Sequence, residues 1–296
     1  MKRIFFILSL QAICLSGYTQ FITDSIKVDG RYRSFGFQGM PSIPKGCTVI
    51  FILHGSGGTG KDMMPPAAGL QKIAAKEHLL LVYPDGYKHF WNECRKGATS
   101  EANQIDINEK GFFSGMIKYL QARYDINTKS FFAIGLSGGG HMAYKLAIEM
   151  PDLFKAVSAI VANLPDTANL DCAEAKKPVA VMIANGTKDP LNHYEGGDII
   201  INGNNWGAIR STERTFAYWA RVAGYDGEPI VSDLPDADTT NEQTITRCTY
   251  RQRGKPEVTL LKVNGGTHAF PKDIDIFLES WAFFKRELVR ESKEKR

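Results

Sequence analysis

Phe131-Phe132-Ala133-Ile134-Gly135-Leu136-Ser137-Gly138-Gly139-Gly140 is the stretch that decides the fold. Its first four residues form a short apolar run of the kind a buried strand uses. The run breaks into G-x-S-x-G, and Met142-Ala143-Tyr144-Lys145-Leu146-Ala147 then reads as a helix. Strand, sharp turn and helix in that order are the setting of a nucleophile elbow. The glycines have a mechanical role there. A serine on a strained turn has backbone crowding on both sides, and Gly135 and Gly139 remove two Cβ atoms. The turn lifts the Ser137 hydroxyl clear of the sheet and aims backbone N–H groups beside it. The competing reading is a glycine-rich turn with an incidental serine. The strand before and the helix after argue against that.

An elbow of this kind needs an acid and a base in the chain order Ser, Asp or Glu, His. Six histidines are present, and only His193 and His268 lie far enough downstream. His268 follows the β-branched run Val258 to Val263 and the turn Asn264-Gly265-Gly266. The apolar spacing of Ile274, Phe277, Leu278, Trp281 and Phe284 then predicts a terminal amphipathic helix. A base on a loop just past the last strand can swing over the nucleophile, so His268 is the expected base. The acid is expected after the preceding strand, Pro178 to Ala184, in the loop Asn185-Gly186-Thr187-Lys188-Asp189-Pro190. Asp189 fits as a carboxylate that accepts the Nδ1 proton of His268. Its other reading is a turn cap before Pro190, and Asp166 and Asp198 are rival acids. His193 is too near Asp189 in sequence to be the base and is expected to line the cleft.

The strand Thr48 to Leu53 ends in His54-Gly55-Ser56-Gly57-Gly58. In this arrangement the N–H after the nucleophile, Gly138, pairs with an N–H from the loop after the third strand, here Ser56, as an oxyanion hole. His54 reads as a turn-stabilising residue. The same loop mimics phosphate-binding patterns: Gly55 to Lys61 fits G-x-x-x-x-G-K, and Gly55, Gly57 and Gly60 fit G-x-G-x-x-G. The first pattern requires a Ser or Thr next for Mg²⁺, whereas this chain has Asp62, and Met63-Met64-Pro65-Pro66 does not open a helix. No nucleotide is expected.

Residues 1–20 read as a secretion signal, with Lys2 and Arg3, an apolar run from Ile4 to Leu10 and small residues from Ala12 to Gly17. The run is too short to span a bilayer. Ile13 before Cys14 departs from the small residue that lipoprotein processing prefers, so a secreted or periplasmic soluble protein is expected rather than a lipid anchor at Cys14. No other stretch predicts stable membrane insertion. Residues 21–296 suffice for a single domain. The net charge of +4 falls to about +2 without Lys2 and Arg3, and the cations are dispersed, so nucleic acid is not an expected partner. Cys47, Cys94, Cys172 and Cys248 remain, permitting two disulfides in three connectivities. Their spacing does not make a zinc site, and neither a metal nor an organic cofactor is expected.

Ile26 to Gln38 alternates like an edge strand. Strands follow near Thr48–Leu53, Leu79–Tyr83, Phe131–Ile134, Ala156–Val161, Val179–Ala184 and Val258–Val263. Helical patterns fall at Leu70–Glu77, Gly111–Tyr124, His141–Met150, Glu213–Val222 and Ile274–Leu288. Alternating strands and helices predict an α/β fold, a mostly parallel central sheet with helices on both faces. The three catalytic loops then sit at the carboxyl ends of strands, where such sheets place their sites. Three longer loops, 83–106, 163–177 and 190–210, are expected to shape the pocket. Trp91, His193, Tyr194 and Trp206 in them are the expected substrate-binding residues, with packing of the loops as the other reading of the tryptophans.

The chain resembles secreted α/β-hydrolases of the feruloyl esterase and polyhydroxybutyrate depolymerase type, related to carbohydrate esterases. The resemblance runs from about Cys47 to Phe284. It rests on Leu53-His54-Gly55, Tyr83-Pro84-Asp85-Gly86 with Trp91-Asn92, and Asn103-Gln104-Ile105-Asp106. It continues through the Gly135 elbow with Pro151-Asp152-Leu153-Phe154, Asn185 to Asp189 with Tyr194-Glu195-Gly196-Gly197, and Gly265-Gly266-Thr267-His268-Ala269-Phe270-Pro271. It places nucleophile, acid and base on Ser137, Asp189 and His268. It implies a secreted serine esterase acting on an ester-bearing polysaccharide or oligomer, through feruloyl or acetyl groups, with short polyhydroxyalkanoates as the alternative. A peptidase and a catalytically idle carbohydrate-binding protein are the other classes; an idle relative usually lacks a triad member, and this chain keeps all three. The sequence departs from the family at Phe270, where Trp is frequent, and at Asp106-Ile107-Asn108. It departs again at Gly224-Tyr225-Asp226-Gly227, which lacks the cysteine from which the family's usual bridge to Cys248 starts.

Overall fold

The computed structural model describes residues 20–39 and 45–294; the expected secretion signal lies outside them except for Gln20. In chain order the elements are β1 (Gln20–Val28), β2 (Arg31–Gly39), β3 (Cys47–Leu53), α1 (Ala68–Ala74), β4 (Leu79–Pro84), α2 (Glu101–Gln104), α3 (Glu109–Arg123), β5 (Ile126–Leu136) and α4 (Gly138–Glu149). They continue with β6 (Phe154–Ile160), β7 (Ala180–Gly186), β8 (Gly197–Ile201), β9 (Asn204–Ile209), α5 (Thr212–Val222), β10 (Ile230–Asp233), β11 (Thr244–Tyr250), β12 (Val258–Asn264) and α6 (Ile276–Glu294). Ten strands form one sheet in the order β1-β2-β4-β3-β5-β6-β7-β12-β11-β10. The six from β4 to β12 run parallel, and the antiparallel strands flank them on both sides.

The central strands are apolar throughout because both faces are covered. Along β3, Val49, Phe51 and Leu53 point into a core with Phe113, Met116 and Trp219 from α3 and α5. Ile50 and Ile52 point the other way, toward Leu70 of α1 and Trp281 and Phe284 of α6. Strand alternation thus feeds two separate cores from one sequence. Helix starts follow their caps: Asn108 accepts the Gly111 N–H at 2.7 Å before α3, and Ser211 accepts the Arg214 N–H at 3.2 Å before α5.

The structure departs from the sequence reading at its edges. The single strand expected over Ile26–Gln38 is a hairpin that turns at Asp29 and Gly30, both with positive φ. Asp-Gly is a turn pair suited to that geometry. The small β8–β9 sheet and the β10–β11 extension also went unforeseen; β8–β9 turns at Asn202-Gly203, again with positive φ at both residues.

At the elbow, Ser137 takes φ 51° and ψ −115°, a conformation sparsely populated for a residue with a Cβ. A Cβ on Gly135 would lie 2.0 Å from the Gly139 oxygen, and one on Gly139 2.4 Å from the Leu53 oxygen. Neither neighbour is a side chain that can move aside. Gly139→Ala is accordingly expected to lower stability by roughly 3 kcal/mol or more, measured by urea denaturation; a change below about 1 kcal/mol would mean the backbone there yields easily.

Candidate active site

Ser137 follows β5, Asp189 follows β7 and His268 follows β12, all at the same end of the sheet. Glycines let the last two loops approach. A Cβ on Gly186 would lie 2.3 Å from the Gly266 oxygen. Lys188 N–H donates to that same oxygen at 2.8 Å, and Gly265 N–H donates to Thr187 Oγ1 at 2.9 Å. The loops that carry Asp189 and His268 are therefore one hydrogen-bonded unit.

The geometry brings the three side chains into a chain of hydrogen bonds. His268 Nδ1 lies 2.8 Å from Asp189 Oδ2 and 3.0 Å from Oδ1, and His268 Nε2 lies 2.9 Å from Ser137 Oγ. A carboxylate facing Nδ1 keeps the proton there, which leaves the Nε2 lone pair toward the serine hydroxyl. The Asp189 side chain is fully buried, whereas that of His268 is 21% exposed. Asp189 Oδ1 also accepts the Leu191 and Asn192 N–H groups, both at 2.8 Å. The rival acids stand elsewhere: Asp166 caps its own turn by accepting the Ala168 N–H, and Asp198 is exposed on β8.

Ser56 and Gly138 stand side by side: a Cβ on Gly138 would lie 3.0 Å from the Ser56 nitrogen. His54 braces this loop. It accepts the Gly86 N–H on Nε2 at 2.9 Å, so its proton is on Nδ1 and is donated to the Gly55 oxygen at 2.7 Å. Burial holds its pKa below the usual histidine range, in keeping with a neutral structural ring. The glycines that imitate a phosphate loop have conformational and packing roles. Gly57 takes φ 81°, a Cβ on Gly60 would lie 2.4 Å from the Tyr83 oxygen, and Asp62 accepts the Thr59 N–H at 2.8 Å. Residues Gly60–Met63 form only a short 3-10 turn. Among the described residues no group of His, Cys, Asp and Glu is placed to hold a metal ion.

A cavity of about 300 Å³ opens over Ser137 and His268. Leu136, Val161, Leu191, Ile199 and Ile201 supply its apolar wall, and Arg95, His141 and Asn192 are polar residues in it. Val161 has φ 47°, unusual for a β-branched residue, where the chain leaves β6 at the cavity edge. The four residues expected to contact substrate lie outside this lining. Trp91 is 2% exposed and sits beneath the Ser56 loop, its Nε1–H donating to the His54 oxygen at 2.9 Å. Trp206 is buried behind the wall, stacked on Arg95 at 5.1 Å. Tyr194 is buried against Lys262, and burial pushes its hydroxyl pKa upward. His193 is exposed, and its carbonyl accepts from Asn163 Nδ2 at 3.3 Å. The wall comes instead from the β8–β9 sheet and from α4, where His141 stands one turn beyond Ser137.

Cys94 and Cys172 form a disulfide between two of the pocket-shaping loops, and Cys47 and Cys248 are unpaired among the described residues. The second bridge that four cysteines permitted is therefore not formed. Cys47 lies buried in β3, away from Cys248 on β11. The bridge closes a 78-residue separation next to Arg95, which is itself held by a buried ion pair with Glu93 at 2.6 Å. Replacing both Cys94 and Cys172 by alanine is expected to cost about 2–4 kcal/mol of stability, measured as a lower denaturation midpoint with a steeper slope, since the unfolded chain is no longer cross-linked. No shift would mean the two loops are held by Asn169, which accepts the Lys96 N–H on its carbonyl at 2.8 Å and the Gly97 N–H on Oδ1 at 2.9 Å.

The parallel sheet, the elbow and the loop order define the protein as an α/β-hydrolase. Among solved structures it resembles the acetyl xylan esterase from Aspergillus awamori, with a TM-score of 0.59 at 16% identity, covering 90% of this chain and all of that one. The family described as "Putative esterase" matches residues 39–291, and the chain belongs to that esterase family. It is a carboxylic ester hydrolase. The chain is 26% identical over 253 residues to "Putative esterase NocK" of Nocardia uniformis subsp. tsuyamanensis, covering 81% of this chain and 70% of that protein. It is 27% identical over 159 residues to feruloyl esterase C of Emericella nidulans, covering 52% of this chain and 53% of that protein. The match thus spans about half the length of that feruloyl esterase.

Proposed function

We propose that the protein is an exported serine esterase that removes feruloyl or acetyl groups from plant polysaccharides. The observation that carries the reading is the hydrogen-bonded run from Asp189 through His268 to Ser137 on the floor of the cavity. Ser137 Oγ attacks the ester carbonyl as its proton passes to His268 Nε2, giving a tetrahedral intermediate. The Gly138 and Ser56 N–H groups hold its oxyanion. His268 then gives the proton to the departing alkoxide, and the acyl group stays on Ser137. Water, deprotonated by the same nitrogen, releases the acid. Asp189 keeps the imidazole in the required tautomer and stabilises its charged form.

Sequence likeness to feruloyl esterases supports the acyl group. The cavity volume, at the lower end of the usual range for ligand sites, suits one acyl group or one sugar ring. Its aliphatic wall favours short hydroxyalkanoate esters as the second reading. Export is supported by the sequence of residues 1–20 and by the Cys94–Cys172 bridge, a bond that persists in oxidising compartments. Among the described residues no helix is long and apolar enough to cross a membrane.

The test is acid release from methyl ferulate, acetylated xylan, a hydroxybutyrate oligomer and p-nitrophenyl acetate under one set of conditions. A hundredfold preference for ferulate or xylan, about 2.7 kcal/mol of transition-state discrimination, supports the polysaccharide reading. The same preference for the oligomer selects the polyester. Hydrolysis of the nitrophenyl ester alone rejects both substrates and keeps the esterase.

A further inference from the structure

The cations of the chain are spread through its sequence, yet two groups of them meet in the fold. Arg251, Arg253 and Lys255 stand on the loop between β11 and β12, and Lys285, Arg286 and Arg290 stand on α6. Together they line a groove of about 910 Å³, at the upper end of the usual range for ligand sites. Two carboxylates share it, Glu257 and Glu287, and both are turned inward, at 2% and 3% exposed. Glu257 accepts from Arg251 Nε at 2.7 Å and from Arg286 Nε and Nη2 at 2.9 and 2.8 Å. Glu287 accepts the Glu257 N–H at 3.1 Å and Arg290 Nε at 2.8 Å. The buried anions anchor the arginines from below, while the Arg251 side chain stays 54% exposed and that of Lys285 46%. Arg253 is exposed and forms no ion pair among the described residues, and Lys255 donates to the Gly224 carbonyl. Six cations against two carboxylates leave a surplus of four, or three once Glu77, 3.3 Å from Lys285 Nζ, is counted. The whole chain beyond residue 20 carries only about +2, so this one groove is set apart from a nearly neutral surface.

A concave surface with this surplus attracts an anion. Planar guanidinium groups pair with carboxylates through two parallel N–H bonds. Ala282, Val289 and the methylene stems of the cations lie between the charges, a floor on which the apolar faces of sugar rings can rest. A bilayer presents a plane, which does not enter a groove. Export, as proposed above, sets the partner among polymers outside the cell. We propose that the groove is a docking site for an acidic polysaccharide, a chain that carries uronate carboxylates. The proposal rests on the reading of the protein as an exported polysaccharide esterase and narrows its substrate to acid-bearing chains. The groove opens where the chain enters β12, and His268 follows the other end of that seven-residue strand. Docking site and Ser137 therefore stand at opposite ends of the sheet, about 20 Å or more apart. A polymer held in the groove brings its own ester groups near the cavity and raises their local concentration. A small ester gains nothing from it.

The test is fluorescence anisotropy of end-labelled oligogalacturonate and of a neutral xylo-oligosaccharide of equal length, with the full protein. At low ionic strength the oligogalacturonate is expected to bind at least about tenfold more tightly, and the advantage to vanish in about 1 M salt. Arg253→Glu with Lys255→Glu is expected to weaken its binding about tenfold, and Arg253→Gln with Lys255→Gln about threefold. Both pairs leave Glu257 and Glu287 with their partners, so the fold is retained. Arg251 and Arg286 are left in place, because removing them would strand a buried carboxylate. Lys27→Glu with Lys118→Glu makes the same change in net charge on exposed positions of β1 and α3, at the far edge of the sheet, and is expected to weaken binding less than about twofold. Equal binding of the two oligosaccharides overturns the proposal. So does a groove reversal no more harmful than the distant one. Tighter binding of duplex DNA or of phosphatidylglycerol vesicles than of the oligogalacturonate overturns the assignment to a polysaccharide. If the wild-type protein hydrolyses no ester yet binds as expected, the esterase reading fails and the docking site stands. If it is an active esterase with no preference for the acidic chain, the docking site alone fails.

Discussion

Ser137→Ala is expected to lower kcat for p-nitrophenyl acetate by about 10⁵- to 10⁶-fold while leaving the fold intact. That loss corresponds to about 7–8 kcal/mol of barrier at 1.36 kcal/mol per decade. The size follows from the role of Oγ. Its one described side-chain bond is to His268 Nε2 at 2.9 Å, so His268 and Asp189 have no proton to move once it is gone. What persists is the pair of N–H groups beside the cavity and the binding wall, which together leave a small residual rate. Stability has a different dependence. The strain at φ 51° arises from backbone and Cβ, and alanine keeps both. The melting temperature is therefore expected to move by no more than about 2 °C, because the change deletes a partly solvated hydroxyl and no packed methylene. Two measurements check this: steady-state hydrolysis, and covalent labelling by a fluorophosphonate, which should vanish. Activity within about 100-fold of wild type, in a protein that melts normally, would move the nucleophile to another residue.

The elbow was legible because every part of it is local. Strand, turn and helix are consecutive between Phe131 and Leu146, and the glycines are required by contacts with backbone that the same segment and β3 supply. The proposed acid and base, Asp189 and His268, are 52 and 131 residues away from Ser137 in the chain, yet chain order limits which loops to search. In a parallel sheet the loops at one end converge whatever lies between them. The cavity wall had no such rule. Ile199 and Ile201 reach it from a two-stranded sheet whose register depends on the Asn202-Gly203 turn, a signal present in the sequence that could have announced the hairpin. Trp91, Tyr194 and Trp206 drew attention as aromatic residues near a cleft. Large rings placed beside loops bury more surface by packing those loops than by facing solvent, and here all three are buried outside the lining. His141 could have been noticed by spacing alone, being four residues past the nucleophile and so on the same face of α4. The disulfide could not, since nothing in the spacing of Cys94 and Cys172 reports the approach of two loops.

Asp189→Asn should reduce kcat by about 10⁴-fold without unfolding the protein, and the reason is a tautomer rather than a lost charge alone. Asp189 Oδ1 accepts two backbone N–H groups, from Leu191 and Asn192, while Oδ2 faces His268 Nδ1. An asparagine keeps its carbonyl oxygen toward the two backbone donors, since its amide group cannot accept from them. Its Nδ2 then occupies the place of Oδ2 and donates to His268 Nδ1. The imidazole proton must move to Nε2, which now points an N–H at Ser137 Oγ where a lone pair is needed. The serine remains in position and cannot be deprotonated. Because the two backbone bonds and the shape of the side chain survive, the loop from Gly186 to Asn192 keeps its contacts with the His268 loop. Fluorophosphonate labelling should slow to the same degree as ester hydrolysis, with an unchanged circular dichroism spectrum. Asp189→Ala separates the two contributions, since it empties the Oδ1 position as well and so loses stability in addition to rate. A loss smaller than about tenfold in a folded Asp189→Asn protein would assign the orienting role to another acid. Asp166 and Asp198 would then be the first positions to replace.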